Sequence, residues 1–168
     1  MSAHIVYDTA PLGSLIRYSD GMPRPPARFA KKLAAWEQRN GVGRLVRREP
    51  PRERPTHRTQ AAIILDEGNF ATGNVVLVTV LRQHLLDNEL RYEIVQRPAI
   101  GMIRVLLPIG DNLELLHLAA SREAAELWLA KTRHDRARLE EVTADEVCAD
   151  FIEGRVAALR DPDAPKEI

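Results

Sequence analysis

Proline, glycine and asparagine interrupt this chain before any apolar run grows long. "HIVYD" (4–8) and "GSLIRYS" (13–19) are parted by "TAPLG", "SDGMPRPP" stops the second, and "GDN" separates "GMIRVLLPI" (101–109) from "LELLHLA" (113–119). Short β-branched or aromatic runs bounded by such residues read as strands. The turns between them are mostly too short for crossover helices, so the strands must pair largely antiparallel. The expected class is α+β: an N-terminal β-β-α-β unit joined by a Pro/Arg-rich linker to a largely antiparallel sheet with two or three helices.

The first expected helix starts at Pro25-Pro26, where missing amide hydrogens cost nothing, and runs to Arg39, with Asn40-Gly41 as a left-handed stop. On a helical wheel Phe29, Leu33 and Trp36 fall within about 60° of each other and form the face expected to pack inward. Arg28, Lys31, Lys32 and Arg39 occupy the neighbouring arc. "VGRLVRRE" (42–49) is the next strand, and "AAIILDEG" (61–68) another. In "GNVVLVTVLRQHLLDNE" β-branched residues favour a strand, whereas the length and the recurrence of Val80, Leu81, Leu85 and Leu86 favour a helix, which is expected over 74–87. "LRYEIVQ" (90–96) and 101–109 make a hairpin around "RPAI". Ser121 caps a helix through Lys131 whose inward residues are Ala124, Leu127 and Trp128, 136–142 is a strand, and the Thr143/Glu146 capping box opens a last helix to Arg160.

"PPRERPTHRTQ" (50–60) contains nothing apolar to bury and reads as a linker or exposed arm. The chain divides there into a basic module (1–50), a linker (51–60) and a net acidic α+β domain (61–168). Charge follows the division. Residues 1 to 60 carry twelve Lys and Arg against five Asp and Glu, and residues 61 to 168 carry twelve against nineteen, although the whole chain sums to zero. Such asymmetry points to nucleic acid or an acidic partner for the basic part, or to neutralisation by the chain's own second half through Glu140, Glu141, Asp145, Glu146, Asp150 and Glu153.

No motif fixes a chemistry. Dinucleotide and P-loop glycine patterns are absent, no GxSxG surrounds a serine, and the five histidines and single cysteine stand at no metal-ligand spacing. A site assembled by the fold from Asp66, His84 and His117, or acid–base work by Asp66-Glu67, is weaker than the reading of these groups as solvated or core residues. Cys148, beside Val147, Phe151 and Ile152, reads as a core residue. No cofactor or metal is expected. There is no secretory apolar region after Met1, and no run approaches the roughly 20 apolar residues that cross a bilayer, so a cytoplasmic location without membrane contact is expected.

Two function classes remain. In the first, a small non-enzymatic bacterial accessory protein binds nucleic acid mainly through phosphates. Its contacts come from Arg28, Lys31, Lys32 and Arg39 on the helix, Arg44, Arg47 and Arg48 on the strand, and Arg52, Arg54 and Arg58 on the arm. Residues 61–168 then serve as a folding scaffold or homodimer surface. In the second, the chain is an adaptor or inhibitor that docks on a protein partner through its acidic C-terminal face or its basic arm.

Overall fold

The computed structural model describes residues 1–54, 57–72 and 75–144. It opens with α1 (Ala3–Thr9), β1 (Leu15–Ser19), α2 (Ala30–Glu37) and β2 (Gly41–Glu49). A ribbon of β3 (Arg52–Arg54) and β4 (His57–Thr59) follows, then β5 (Ala62–Thr72), β6 (Val75–Leu85), β7 (Arg91–Gln96), β8 (Ile103–Ile109), β9 (Asn112–Ala119), α3 (Arg122–Thr132) and β10 (Arg138–Glu141). The fold is α+β, and every strand pairing among the described residues is antiparallel.

Eight strands share one sheet, with β2 at its centre. The first half of one β2 edge takes β1, and further along the same edge Arg47 meets Glu114 of β9; the other edge takes β5, which pairs β6. β7 extends the sheet beyond β1, while β8 and β10 extend it beyond β9. Strands from both sides of 51–60 therefore sit side by side. They also share a core: Val6, Ile16, Tyr18 and Leu45 pack with Ile63, Leu65, Leu86 and Tyr92. A second cluster joins Val46 and Ile64 to Leu106 and Leu115, and a third lies under α3 around Ile103, Val105, Ala119 and Ala125.

Four local expectations change. Residues 4–8 form a helix, because Ala3, Val6 and Ala10, at helical spacing, fill the first core; that burial overrides the strand preference of "HIVYD". The expected helix over 74–87 is strand β6. Thr79, Leu81, Gln83 and Leu85 are exposed, whereas His84 and Leu86 are buried, a period of two. A spacing of four, as between Leu81 and Leu85, is compatible with both periods, and the β-branched run decides between them. The 90–96/101–109 hairpin does not form: β7 pairs β1 and lends Tyr92 to the first core, while β8 pairs β9 and β10 and lends Ile103, Val105 and Leu106 to the others. The arm at 50–60 is not wholly irregular, since it contains the β3–β4 ribbon.

Ser121 caps α3 as expected, its Oγ accepting from the Ala124 amide at 3.2 Å. The buried face of α3 belongs to Ala125, however, and Leu127 is 63% exposed. The helix expected over 143–160, with Glu146 and Cys148, lies from Asp145 onward outside the described residues.

Candidate nucleic-acid interface

Between Tyr18 and Gly41, which face each other across the β1–β2 pair, the chain leaves the sheet and returns, carrying α2 on the excursion. The helix is shorter than its prolines suggest: it starts at Ala30, and none of its residues is buried. Phe29, expected to point into a core, is 42% exposed and Met22 64% exposed, so the Phe29/Leu33/Trp36 stripe is only partly covered.

The excursion is held at its base by polar contacts. The Asn40 amide donates to Asp20 Oδ1 and to the Trp36 carbonyl, both at 2.9 Å, while its oxygen accepts from the Ser19 hydroxyl at 2.7 Å. Trp36 Nε1 donates to the Met22 carbonyl at 2.8 Å. Bonds from Asn40 and from the Met22 amide hold the Asp20 carboxyl below the usual range, and Arg39 sits 3.4 Å from it. The helix C-terminus ends at Gln38 in a right-handed conformation, so Asn40-Gly41 is a latch rather than a left-handed stop.

The outward cations are Arg28, Lys31 and Lys32, all exposed. Arg28 and Lys32 lie over the Phe29 ring at 4.8 and 5.4 Å from its centroid, an arrangement that orients them while leaving their charge accessible. Arg24 lies 3.6 Å from Glu37. Together these groups form one positive surface on an element that contributes nothing to the cores.

The strand cations are arranged differently. Arg44 donates to the Gly13 carbonyl at 2.6 Å, Arg48 to the Ala10 carbonyl, Arg97 to the Thr9 carbonyl at 2.9 Å and Arg104 to the Leu12 carbonyl at 2.9 Å. Four guanidiniums thus hold the α1–β1 loop, using donors that phosphates would otherwise receive. Arg47 bonds Glu114 at 2.7 Å and Glu49 at 2.9 Å. Arg52 is exposed on the ribbon, which also carries Arg54 and Arg58. The ribbon follows the far end of the nine-residue β2 from α2, and about 26 Å of strand separates the two attachment points. The ten cations picked from the sequence therefore fall into a helix group, a ribbon group and an inward group.

One cluster is not legible in the sequence as a group, although Glu67 and His84 were weighed there in other combinations. Tyr18 on β1, Glu67 on β5, Arg82 and His84 on β6 and Tyr92 on β7 converge beside the α2 latch. The Tyr18 hydroxyl donates to Glu67 Oε1, and Arg82 Nε bonds the same carboxylate at 3.0 Å. Asn88 donates to the Tyr92 oxygen at 2.8 Å, so the Tyr92 proton is turned to His84 Nδ1, 3.0 Å away. The tilted Tyr18 ring lies 4.5 Å from the imidazole between centroids. Burial, aided by Arg82, pushes the His84 pKa down to about 4. Burial pushes the Tyr92 hydroxyl up to about 12, and raises Tyr18 further, with the Glu67 bond adding to it.

The cluster is core rather than cleft: His84 is buried, and neither of the two surface clefts described is lined by Asp66, Glu67 or His84. Asp66 instead accepts from the Gly68 amide at 2.9 Å in a β-bulge. Among the described residues no three His, Cys, Asp or Glu side chains gather to hold a metal. His117 does not join Asp66 and His84; it stacks on Trp128 at 5.0 Å, with His134 stacked on the same indole at 5.6 Å. No described helix is long and apolar enough to cross a membrane.

No curated protein and no solved structure matches the chain. Residues 1–146 match the model of the family described as Uncharacterised conserved protein UCP036055, a span that takes in α2, the whole sheet and the Tyr18 cluster. The chain belongs to that family.

Proposed function

We propose that the protein is a non-enzymatic, cytoplasmic nucleic-acid-binding protein that grips phosphates through the α2 excursion, with the β3–β4 ribbon as a second basic element. The observation that carries this reading is that α2 buries none of its residues, while the excursion that carries it displays Arg28, Lys31 and Lys32. A helix this short gains little from its own hydrogen bonds, so one held away from the core has a use outside it. Phosphates are the best match for a surface of exposed cations with no geometric reading motif, and contacts of that kind carry no sequence specificity.

The test is fluorescence anisotropy with a labelled duplex and a labelled single strand across a salt series. The three cations of the excursion alone give a slope of log affinity against log salt of about −2.7 on duplex DNA, which contacts from the ribbon would steepen. Reversing the three charges (Arg28→Glu, Lys31→Glu, Lys32→Glu) should abolish binding and leave the fold intact, because all three side chains are exposed. No binding by the wild-type chain at low salt, or undiminished binding by the reversed variant, overturns the proposal. In that event Phe29 and Met22, exposed beside the cations, direct attention to a protein partner.

A further inference from the structure

Arg82 lies outside the basic stretch and on the other side of the 51–60 segment, yet it reaches the end of α2. Its Nη1 donates to the Gln38 carbonyl at 2.5 Å, the C-cap position of the helix. Its Nε bonds Glu67 at 3.0 Å, and its guanidinium lies 5.8 Å from the Tyr18 ring centroid. Glu67 accepts the Tyr18 hydroxyl, and Tyr18 is 1% exposed in the first core. A cation at a helix C-terminus satisfies a carbonyl left without an intrahelical partner and complements the dipole. Here that cation is fixed by a partly buried chain of contacts running from β1 through β5 to β6.

We propose that Arg82 is the positioning residue of the nucleic-acid-binding helix: the Tyr18–Glu67–Arg82 chain holds the C-terminal end of α2 against the sheet and so orients Arg28, Lys31 and Lys32. This rests on the reading of α2 as the phosphate-binding element. The chain has its own physical necessity, however. With no residue of α2 buried, its order depends on the contacts at its base, among them the Asn40 latch on the Trp36 carbonyl and Arg82 on the Gln38 carbonyl. Arg82 is also spent as a ligand. Two bonds to protein acceptors and a side chain 31% exposed mark it as a brace rather than a fourth phosphate contact.

A brace and a contact differ in what salt does. Removing a phosphate contact flattens the salt slope by about 0.9. Removing a brace lowers the fraction of molecules in the binding-competent form, which raises the apparent Kd by the inverse of that fraction and leaves the slope alone. Arg82→Gln should therefore weaken duplex binding about 3- to 10-fold at every salt concentration with an unchanged slope, and Arg82→Lys, which keeps a cation for Glu67 or Gln38, should recover part of the loss. Time-resolved anisotropy of Trp36 in a Trp128→Phe background reads α2 directly, and Arg82→Gln should increase its fast motion while far-UV circular dichroism stays essentially unchanged. Should wild-type protein bind no nucleic acid while Trp36 still loosens, the functional reading fails and the brace stands. A flattened slope, or Trp36 motion identical in wild type and Arg82→Gln, overturns the brace. If Arg82→Gln unfolds, Tyr18→Phe cuts the chain at its other end with a smaller polar change, and the same readouts must move in the same direction.

Discussion

Gly41 joins the α2 excursion to β2, and its smallness is required there. A methyl group added at Gly41 would lie 2.5 Å from the Tyr18 hydroxyl oxygen, 2.8 Å from Cζ and 3.1 Å from Cε1. The ring has little room to retreat, since Tyr18 is 1% exposed, its hydroxyl is bound to Glu67, and the His84 and Tyr92 rings lie 4.5 and 6.5 Å away between centroids. Overpacking of this kind costs about 1–3 kcal/mol. Gly41 is not among the glycines with positive φ, so alanine suffers no backbone strain and regains about 0.4–1 kcal/mol through the unfolded chain. The net effect of Gly41→Ala is thus a loss of about 1–2 kcal/mol, read by urea denaturation, or a fall in Tm of about 2–8 °C for a chain of this size. Tyr18→Phe removes the nearest atom and loses the Glu67 bond, but in the Gly41→Ala background it also relieves the clash. The double-mutant cycle should therefore show a favourable coupling of at least about 0.5 kcal/mol. A neutral or stabilising Gly41→Ala, or a cycle that closes additively, refutes the close approach of Tyr18 to this junction.

Acidification tests the buried imidazole. His84 has a folded pKa of about 4 against an ordinary 6.5, so the unfolded chain binds the proton first and stability falls as pH drops through that window, by about 2 kcal/mol between pH 7.5 and 5. Chemical denaturation across this range should show the loss in wild type and a flatter profile in His84→Gln; equal profiles would rule out a neutral buried His84. A second titration reads the surface stack on α3. Burial, and after it Arg44, lowers the His117 pKa, so in a Trp36→Phe background Trp128 emission should be quenched with a component whose midpoint lies below about 6.5. His117→Gln should remove that component, and persistence of the full change would mean that His117 does not face the indole.

The α+β class and most strand positions were legible because turn residues and β-branched runs are local signals. The errors have a common cause in information the local pattern lacks. "HIVYD" is strand-like alone and becomes helix only because Val6 and Ala10 meet Leu45, Ile63 and Tyr92, residues far off in sequence. The Leu81/Leu85 spacing fits two periods, and exposure resolves it. A helix does form within the basic stretch, but it is shorter than expected and its apolar stripe was assigned to a core it does not reach. For the candidate site, Lys31 and Lys32 could be picked from charge and helical phase, and Arg28, which precedes the helix, from charge alone. Arg44, Arg47 and Arg48 look the same in sequence, and their inward use depends on where the carbonyls of Ala10 and Gly13 and the carboxylate of Glu114 arrive in space. Glu67 was noticed only as the neighbour of Asp66, and its grouping with Tyr18 and Arg82 had no signal, since no spacing joins residues from three different strands.

The neutral total charge therefore has two origins. For Arg17 and Arg47 in the sheet, the acidic half supplies a counterpart: Glu93 meets Arg17 at 2.8 Å, and Glu114 meets Arg47 at 2.7 Å. Where a basic residue lies on the excursion, the geometry withdraws it from such partners, because residues 20–40 leave the sheet and carry five Lys and Arg against only Asp20 and Glu37. Even these two acids sit at the base or beside Arg24 and Arg39, which leaves Arg28, Lys31 and Lys32 exposed. Exposed charges more than about 10 Å apart are screened from each other at ordinary ionic strength. A net charge of zero thus does not by itself limit how strongly this one surface attracts a polyanion.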